Sequence, residues 1–427
     1  MLHADNPEIR AHLLDGFFGL EKESLRVTGD GFFSHTRHPF VGNTHIVRDF
    51  CENQTEINTG VYDSIAGALA ELRACDDLMR RKLAALPEPE YLWPFSNPPY
   101  IRTEEDVPIA IFEGAEAEKT AYREYLALRH SRYKMTLCGI HFNFSFSEEL
   151  LRREFALSGE SDFQAWQDRL YLDLAARAAA YGWIVTAVTA ASPLMDSSYV
   201  ERGVFDQDLF MGLASVRCSE LGYWNAFAPI LDYTSVAGYV DSIQSYVDRG
   251  LIWAASELYY PIRLKPPGTY TLQNLKEKGV NHIELRMIDL NPLAPDGVDA
   301  RDLTFAHLLL VWLASLPPED FTPERQVQSV QNFKNAAHYD LLTVNISAPN
   351  NILCPVAEAG HRVIDSMRTF YAGFPEDVQQ VLDFEEDKFT RREAGYAWQV
   401  RRQYSGGFVK KGLELTKART EQTLSGR

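Results

Sequence analysis

The sequence predicts an α+β fold, with a sheet built by residues 1–298 and a mainly helical part over residues 299–427. Three observations lead there. Period-two alternation appears in strings far apart in the chain, GLEKESLRV (19–27), GIHFNFSFS (139–147) and HIELRMID (282–289). Runs of helical spacing lie between them, and beyond Asp299 the helical signals stand alone. With 427 residues, 45% hydrophobic and 12% aromatic, the chain can fill one large core, so 1–427 is read as a single domain.

In the first strand Glu21 and Glu23 are two apart, so both carboxylates project from one face. Like charges this close repel, and where carboxylates rather than thiolates are offered a hard divalent cation is the common remedy. A solvent-facing acidic strand is the plain alternative. The string RDFCENQTE (48–56) adds Asp49 and Glu56, whose opposite parity calls for a bend or bulge if both are to face the same ions. Ile65, Ala68, Leu69, Leu72, Met79 and Leu83 have helical spacing, with Asp63 or Ser64 as the cap and Pro87 beyond the end. LWPFSNPPYI (92–101), rich in aromatics and proline, reads as an ordered, packed loop.

A second helix over 116–133 sets Tyr122 and Leu126 one turn apart on one face, where core packing is the plain expectation. The next strand turns Ile140, Phe142, Phe144 and Phe146 one way and His141, Asn143, Ser145 and Ser147 the other. A lone strand histidine is usually a hydrogen-bonded residue and no more. Phe163, Trp166, Leu170 and Leu174 mark a helix ending near Gly182, followed by a buried strand or helix in YGWIVTAVTAASPLMDSS. SVRCSELGYWN (215–225) has a loop-like setting, a helix over 236–248 stops at Gly250, and ELYYPIRLKP (257–266) reads as a short strand closed by prolines. Glu284 and Arg286 then share a strand face, where mutual neutralisation is one reading. Farther on, Thr322 with Pro323 starts a helix, Gly373 stops one, Pro375 begins another, and the basic tail from Gly406 is expected to fray.

A net charge of −17 excludes a duplex-binding face, which would need clustered Lys and Arg, so no nucleic-acid partner is expected. Five scattered cysteines without a CxxC pair read as reduced thiols, and the polar, acidic N-terminus MLHADNPEIR is unlike an export signal, so a cytoplasmic protein is expected. The longest apolar stretches fall short of the ~20 residues that span a bilayer, and no membrane partner is expected. Nothing in the composition fixes an oligomeric state. There is no GxxxxGK[ST], no GxGxxG after a strand, no HExxH and no GxSxG, which argues against a P-loop kinase, a Rossmann dehydrogenase, a zincin and a serine hydrolase. What remains is a sheet with Glu21, Glu23, Asp49, Glu56, His141 and Glu284 on its polar side. Five carboxylates and one imidazole suit two or three Mg2+ or Mn2+ ions better than zinc, and such a cluster commonly grips nucleotide phosphates.

Eight strings, GLEKESLRV, RDFCENQTE, KTAYREYLALRHSRY, GIHFNFS, YGWIVTAVTAASP, SVRCSELGY, ELYYPIR and HIELRMIDLNPLAPDGVD, together resemble the bacterial glutamate-cysteine ligase family and occur in its order. The resemblance covers most of residues 19–299 and is loose beyond. It implies a glutamine-synthetase-like carboxylate-amine ligase fold, a curved, largely antiparallel sheet with helices outside. It also implies one catalytic domain that uses ATP to phosphorylate the side-chain carboxylate of glutamate. The amino group of cysteine then displaces phosphate, the first step of glutathione biosynthesis. Glu21, Glu23, Asp49, Glu56, His141 and Glu284 resemble the metal ligands, and Arg286 the residue that meets the transferred phosphoryl group. Asn143 and Arg217 are similar to residues near the glutamate, and Tyr122, Arg123, Leu126, Tyr223 and Tyr259 to the acceptor pocket.

This chain departs from the family pattern in carrying Met135 and Cys138 where polar residues are usual, and in the apolar run WNAFAPIL (224–231). It also ends without an ATP-grasp domain, so the fused form that makes glutathione outright is not expected. A γ-glutamyl ligase with another amino acid or amine as acceptor is the alternative. A non-catalytic paralogue that binds nucleotide or amino acid is a third reading, against which stands the full set of acidic positions.

Overall fold

The computed structural model describes residues 1–222, 224–348 and 352–426. Its strands are β1 (Gly16–Thr28), β2 (Ile46–Arg48), β3 (Gln54–Asn58), β4 (Glu90–Leu92), β5 (Gly139–Phe146), β6 (Met195–Asp196), β7 (Asp208–Leu209), β8 (Ile262–Lys265), β9 (His282–Asp289), β10 (Asn345–Ala348) and β11 (Ile352–Pro355). Seven of them form one antiparallel sheet in the order β2-β3-β1-β5-β9-β8, with β4 also paired to β1. The pairs β6-β7 and β10-β11 stand apart.

Because alternate side chains of a strand point to opposite faces, the cross-strand partners Phe18 and Phe144, Leu20 and Phe142, and Leu285 and Ile262 share one side of the sheet. All are buried. The helices preceding residue 316 are α1 (Pro7–Arg10), α2 (Ile65–Ala84), α3 (Ala117–His130), α4 (Glu148–Ser158), α5 (Phe163–Tyr181), α6 (Trp183–Thr189), α7 (Val236–Asp248), α8 (Leu272–Lys278) and α9 (Ala300–Ser315), of which α2, α5 and α6 pack closest against the strands. His307 of α9 packs edge-on to Phe18 and tilted against Phe144, with ring centroids 5.0 and 4.9 Å away. Each large apolar side chain sealed here contributes about 1.5–3 kcal/mol.

Local signals set the helix ends. Ser64 Oγ caps α2 by accepting from the Gly67 N–H at 3.3 Å, and Gly250, at φ +67, follows α7. The chain continues through α10 (Pro323–Ala336), α11 (Val356–Phe370), α12 (Glu376–Thr390), α13 (Tyr396–Tyr404) and α14 (Phe408–Ser425).

Residues 299–427 are mainly helical, with one short hairpin of β10 and β11 among the helices. Two expectations are corrected. The tail does not fray over its described length: α14 buries Phe408, Val409, Thr416 and Thr420, and its Gly412 lets Trp93 approach so closely that a Cβ would lie 2.5 Å from the ring. The strand expected over 257–266 is only β8, because Pro261 has no N–H for the ladder and Glu257 turns inward to meet Arg129 and His130. The aromatic loop is packed as expected: Trp93 Nε1 donates to Asn97 O at 2.7 Å, and Asn97 Nδ2 donates to Ser192 O and Leu194 O. No described helix is long and apolar enough to cross a membrane.

Candidate active site

The second side of the sheet is polar, and register alone assembles it. Glu21 lies opposite His141, Glu23 opposite Glu56, Asn143 opposite Glu284, and Glu284 opposite Arg263, so all seven side chains share one face. Asp49 joins them without a bulge. The chain reverses between β2 and β3, Asp49 N donates to Gln54 O at 3.1 Å, and the pairing of Val47 with Glu56 puts residues of opposite parity on the same side. The hairpin is the bend that their opposite parity called for.

Glu21, His141 and Glu284 form the tightest group, their ligand atoms all within 4.8 Å of one another. His141 Nδ1 is 2.9 Å from Glu21 Oε2 and 3.6 Å from Glu284 Oε1, while its Nε2 is 3.8 Å from Glu23 Oε1. Glu284 is fully buried and ringed by cations: Arg286 at 3.0 Å, Lys265 at 3.2 Å and Arg263 at 3.6 Å. Burial opposes its ionisation, but Arg286, Lys265 and Arg263 outweigh it and hold the carboxyl well below the usual range. Burial and then the Glu284 charge also work against ionised Glu21, yet the hydrogen bond from His141 and the Lys265 cation prevail, and its pKa is lowered.

The opposite holds one strand over. Burial and then the Asp49 charge push the Glu23 carboxyl up to about 8, and burial with Asp49, Glu21 and Glu23 raises Glu56 well above its ordinary value. Burial and then Arg286 pull His141 down to about 4, so the imidazole is neutral. With Nδ1 donating to Glu21, its Nε2 lone pair points toward Glu23 and has no hydrogen-bond partner among the described residues. Crowded acids, an unpaired imidazole nitrogen and otherwise oxygen donors fit a hard divalent cation.

Beside this group a cavity of about 470 Å³, its open mouth included, is lined by Arg217, Arg286, Tyr259, Trp224, Met287 and Phe333 among others. Arg217 enters from the 215–225 turn and donates Nη2 to Arg286 O at 2.6 Å. Its guanidinium lies flat over Gly139, where a Cβ would meet Cζ at 2.3 Å, so only glycine fits under it. Helix α3 frames the other side. Arg123 Nε donates to Asp49 O at 2.6 Å, and Tyr122 OH accepts from Ser256 Oγ at 3.1 Å, three residues before Tyr259.

The description "Glutamate-cysteine ligase" belongs to a family model that matches residues 3–252 and 246–336. The chain belongs to the glutamate-cysteine ligase family. It is 35% identical over 436 residues to the glutathione biosynthesis bifunctional protein GshAB of Listeria monocytogenes, which covers 98% of this chain and 56% of that protein. The counterpart from Clostridium perfringens is 31% identical over 365 residues, covering 82% and 46%. The chain thus spans about half the length of the curated relatives it matches. A crystal structure of a bifunctional glutathione synthetase from Pasteurella multocida superposes with a TM-score of 0.83 at 27% identity, covering 98% of this chain and 54% of that one. A glutamate-cysteine ligase from Francisella tularensis in complex with AMP gives 0.85 at 21%, covering 96% and 89%, and shares the fold.

Within this family frame, the residues expected as metal ligands lie on one sheet face and its hairpin, with Arg286 at their edge. Tyr122, Arg123 and Leu126 sit on α3, Leu126 buried and Tyr122 raised to about 12 by burial. Tyr223 lies outside the described residues. Arg217 and Asn143 are not brought together: Asn143, four residues along β5 from Gly139 and so about 13 Å away, opens onto another hollow with Phe17, Gly19 and His282. Sequence reading missed Arg263, Lys265 and Gly139. The i, i+2 cations of IRLK, mirroring Glu284 and Arg286, were the available signal for the first two.

Proposed function

We propose that the whole chain is one catalytic domain that joins the γ-carboxylate of L-glutamate to the amino group of L-cysteine at the expense of ATP, by way of a γ-glutamyl phosphate. Family membership supports the reaction, and the observation that carries it is the convergence of Glu21, His141 and Glu284 within 4.8 Å, with Arg286 between them and the cavity. Glu21, Glu23, Asp49, Glu56, His141 and Glu284 would hold two or three Mg2+ or Mn2+ ions. Bound there, such ions neutralise the triphosphate and screen the chain's negative charge.

The protein's own groups do the rest. Arg286, aligned by Glu284 at 3.0 Å, offers its guanidinium to the phosphoryl group in transfer. Arg217, fixed over Gly139, is placed to grip a substrate carboxylate. Tyr122, Arg123, Leu126 and Tyr259 are assigned the acceptor side, with Tyr223 assigned there by the resemblance alone, and α3 ties that side to the Asp49 hairpin. The partners are these small molecules, and the cytoplasm is the expected setting.

A second reading, the same ligation with a bulkier amine as acceptor, is favoured by the apolar cavity wall of Trp224, Met287 and Phe333. The test is cysteine-dependent ADP release with glutamate and MgATP, repeated over a panel of acceptors and read by product mass. Cysteine is expected to give the fastest release. Another amine as the fastest acceptor selects the second reading, and no acceptor-dependent ADP overturns both.

A further inference from the structure

Behind β1, on the side away from the acidic face, a cavity of about 900 Å³ opens beside α2, α14 and Asp296. Four arginines, Arg73, Arg80, Arg81 and Arg419, line it against three aspartates, in a chain whose net charge is −17. Two of the aspartates are engaged. Asp296 takes Arg73 Nε at 2.9 Å and Nη2 at 2.6 Å, and Asp77 Oδ1 accepts from the Thr423 hydroxyl at 2.8 Å. The third, Asp76, is 5% exposed and accepts from Lys22 Nζ on Oδ2 at 2.5 Å, leaving Oδ1 with no hydrogen-bond partner among the described residues.

The cations are under-compensated. Arg80, 6% exposed, reaches the Asp76 carboxylate only at 3.8 Å and donates Nη1 to the neutral Thr416 Oγ1 at 3.4 Å, and Arg419 Nη2 donates to the carbonyls of Pro292 and Ala294. Burial and then the Arg80 cation depress the Arg419 pKa, a strain that an anion would relieve. Guanidinium forks match tetrahedral oxyanions. The orphaned Asp76 oxygen adds a second condition, because among tetrahedral anions one that itself bears a proton can give it a hydrogen bond and a fully deprotonated one cannot.

We propose that this cavity is a second ligand site, which takes hydrogen phosphate, free or as a monoester, on Arg80, Arg81 and Arg419 with its proton directed to Asp76 Oδ1. Sulfate has the same shape and no proton, so the site discriminates against it. The test is calorimetric titration of the full chain at pH 6.5 in EDTA, without ATP or glutamate, using inorganic phosphate, glycerol 3-phosphate and sulfate in turn. Phosphate or the monoester is expected to bind roughly tenfold more tightly than sulfate, and the tighter of the two identifies the occupant. Arg419→Gln and the exposed Arg81→Gln should each weaken binding roughly tenfold, and Asp76→Asn should erase the preference over sulfate. Arg81→Gln serves where the buried variants fail to fold. Equal affinity for phosphate and sulfate, affinity unchanged by Arg81→Gln, or no heat with any of the three would overturn the proposal.

Discussion

Glu284 carries more of the site than any other side chain, because three cations and one imidazole converge on a carboxylate with no solvent exposure. In Glu284→Gln those cations lose their central anion, and Lys265 keeps Glu21 at 3.7 Å. Turnover should fall at least about 10²-fold, and chemical denaturation should register a loss of about 3 kcal/mol, since removing one partner of a buried ion pair strands the other. Unchanged stability would mean that the cations relax outward. Gly139 gives a cleaner probe of geometry. Gly139→Ala should displace the Arg217 guanidinium and cost about 10²-fold in kcat/KM, with the melting transition retained. Kinetics with glutamate varied would check it. The acids and the histidine were legible from period-two alternation, because each strand's polar face is written in its own residues. Arg263 and Lys265 were not, since their role appears only once β8 is seated against β9.

At the scale of the element, α9 presses His307 into the apolar side of the sheet, between Phe18 of β1 and Phe144 of β5. Burial alone pulls the imidazole pKa from 6.5 to about 3. Below pH 6.5 the unfolded chain therefore binds a proton that the folded core refuses, and stability falls as pH falls toward 3. Between pH 6.5 and 5 this costs about 2 kcal/mol. Urea denaturation of His307→Leu at both values should show a slope smaller by that amount; an unaltered slope would show that the ring takes up its proton in place. The β2-β3 hairpin shows how elements escape the sequence. Parity rules hold along one strand, and where the chain turns they are reset by register, so Asp49 and Glu56 meet through a bend, the β2-β3 hairpin, and no bulge is needed. The tail was misjudged for a related reason: its charged residues are visible in the sequence, whereas the Trp93 and Phe95 rings waiting for Gly412 lie far back in the chain.

Over the whole molecule, one antiparallel sheet divides two jobs. The side facing the helices holds the structure together, and the other holds charges that the core would reject. The strand order β2-β3-β1-β5-β9-β8 puts the long, acid-bearing β1 near the middle, flanked by the hairpin with Asp49 and by the histidine strand. That order is a long-range property that composition and periodicity do not encode, although the α+β class, the polar strands and the family resemblance were all readable. The fold thus accounts for how the proposed ligation could do without a P-loop or a Rossmann turn: it collects acids from separate strands on one face and sets Arg286 at their edge. The most direct measurement is transfer of oxygen from substrate to phosphate. L-glutamate labelled with 18O in its γ-carboxylate, turned over with MgATP and cysteine, should release inorganic phosphate carrying one labelled oxygen, seen by 31P NMR, because the acyl phosphate breaks at its C–O bond. Unlabelled phosphate from a reaction that still forms the amide would contradict the account.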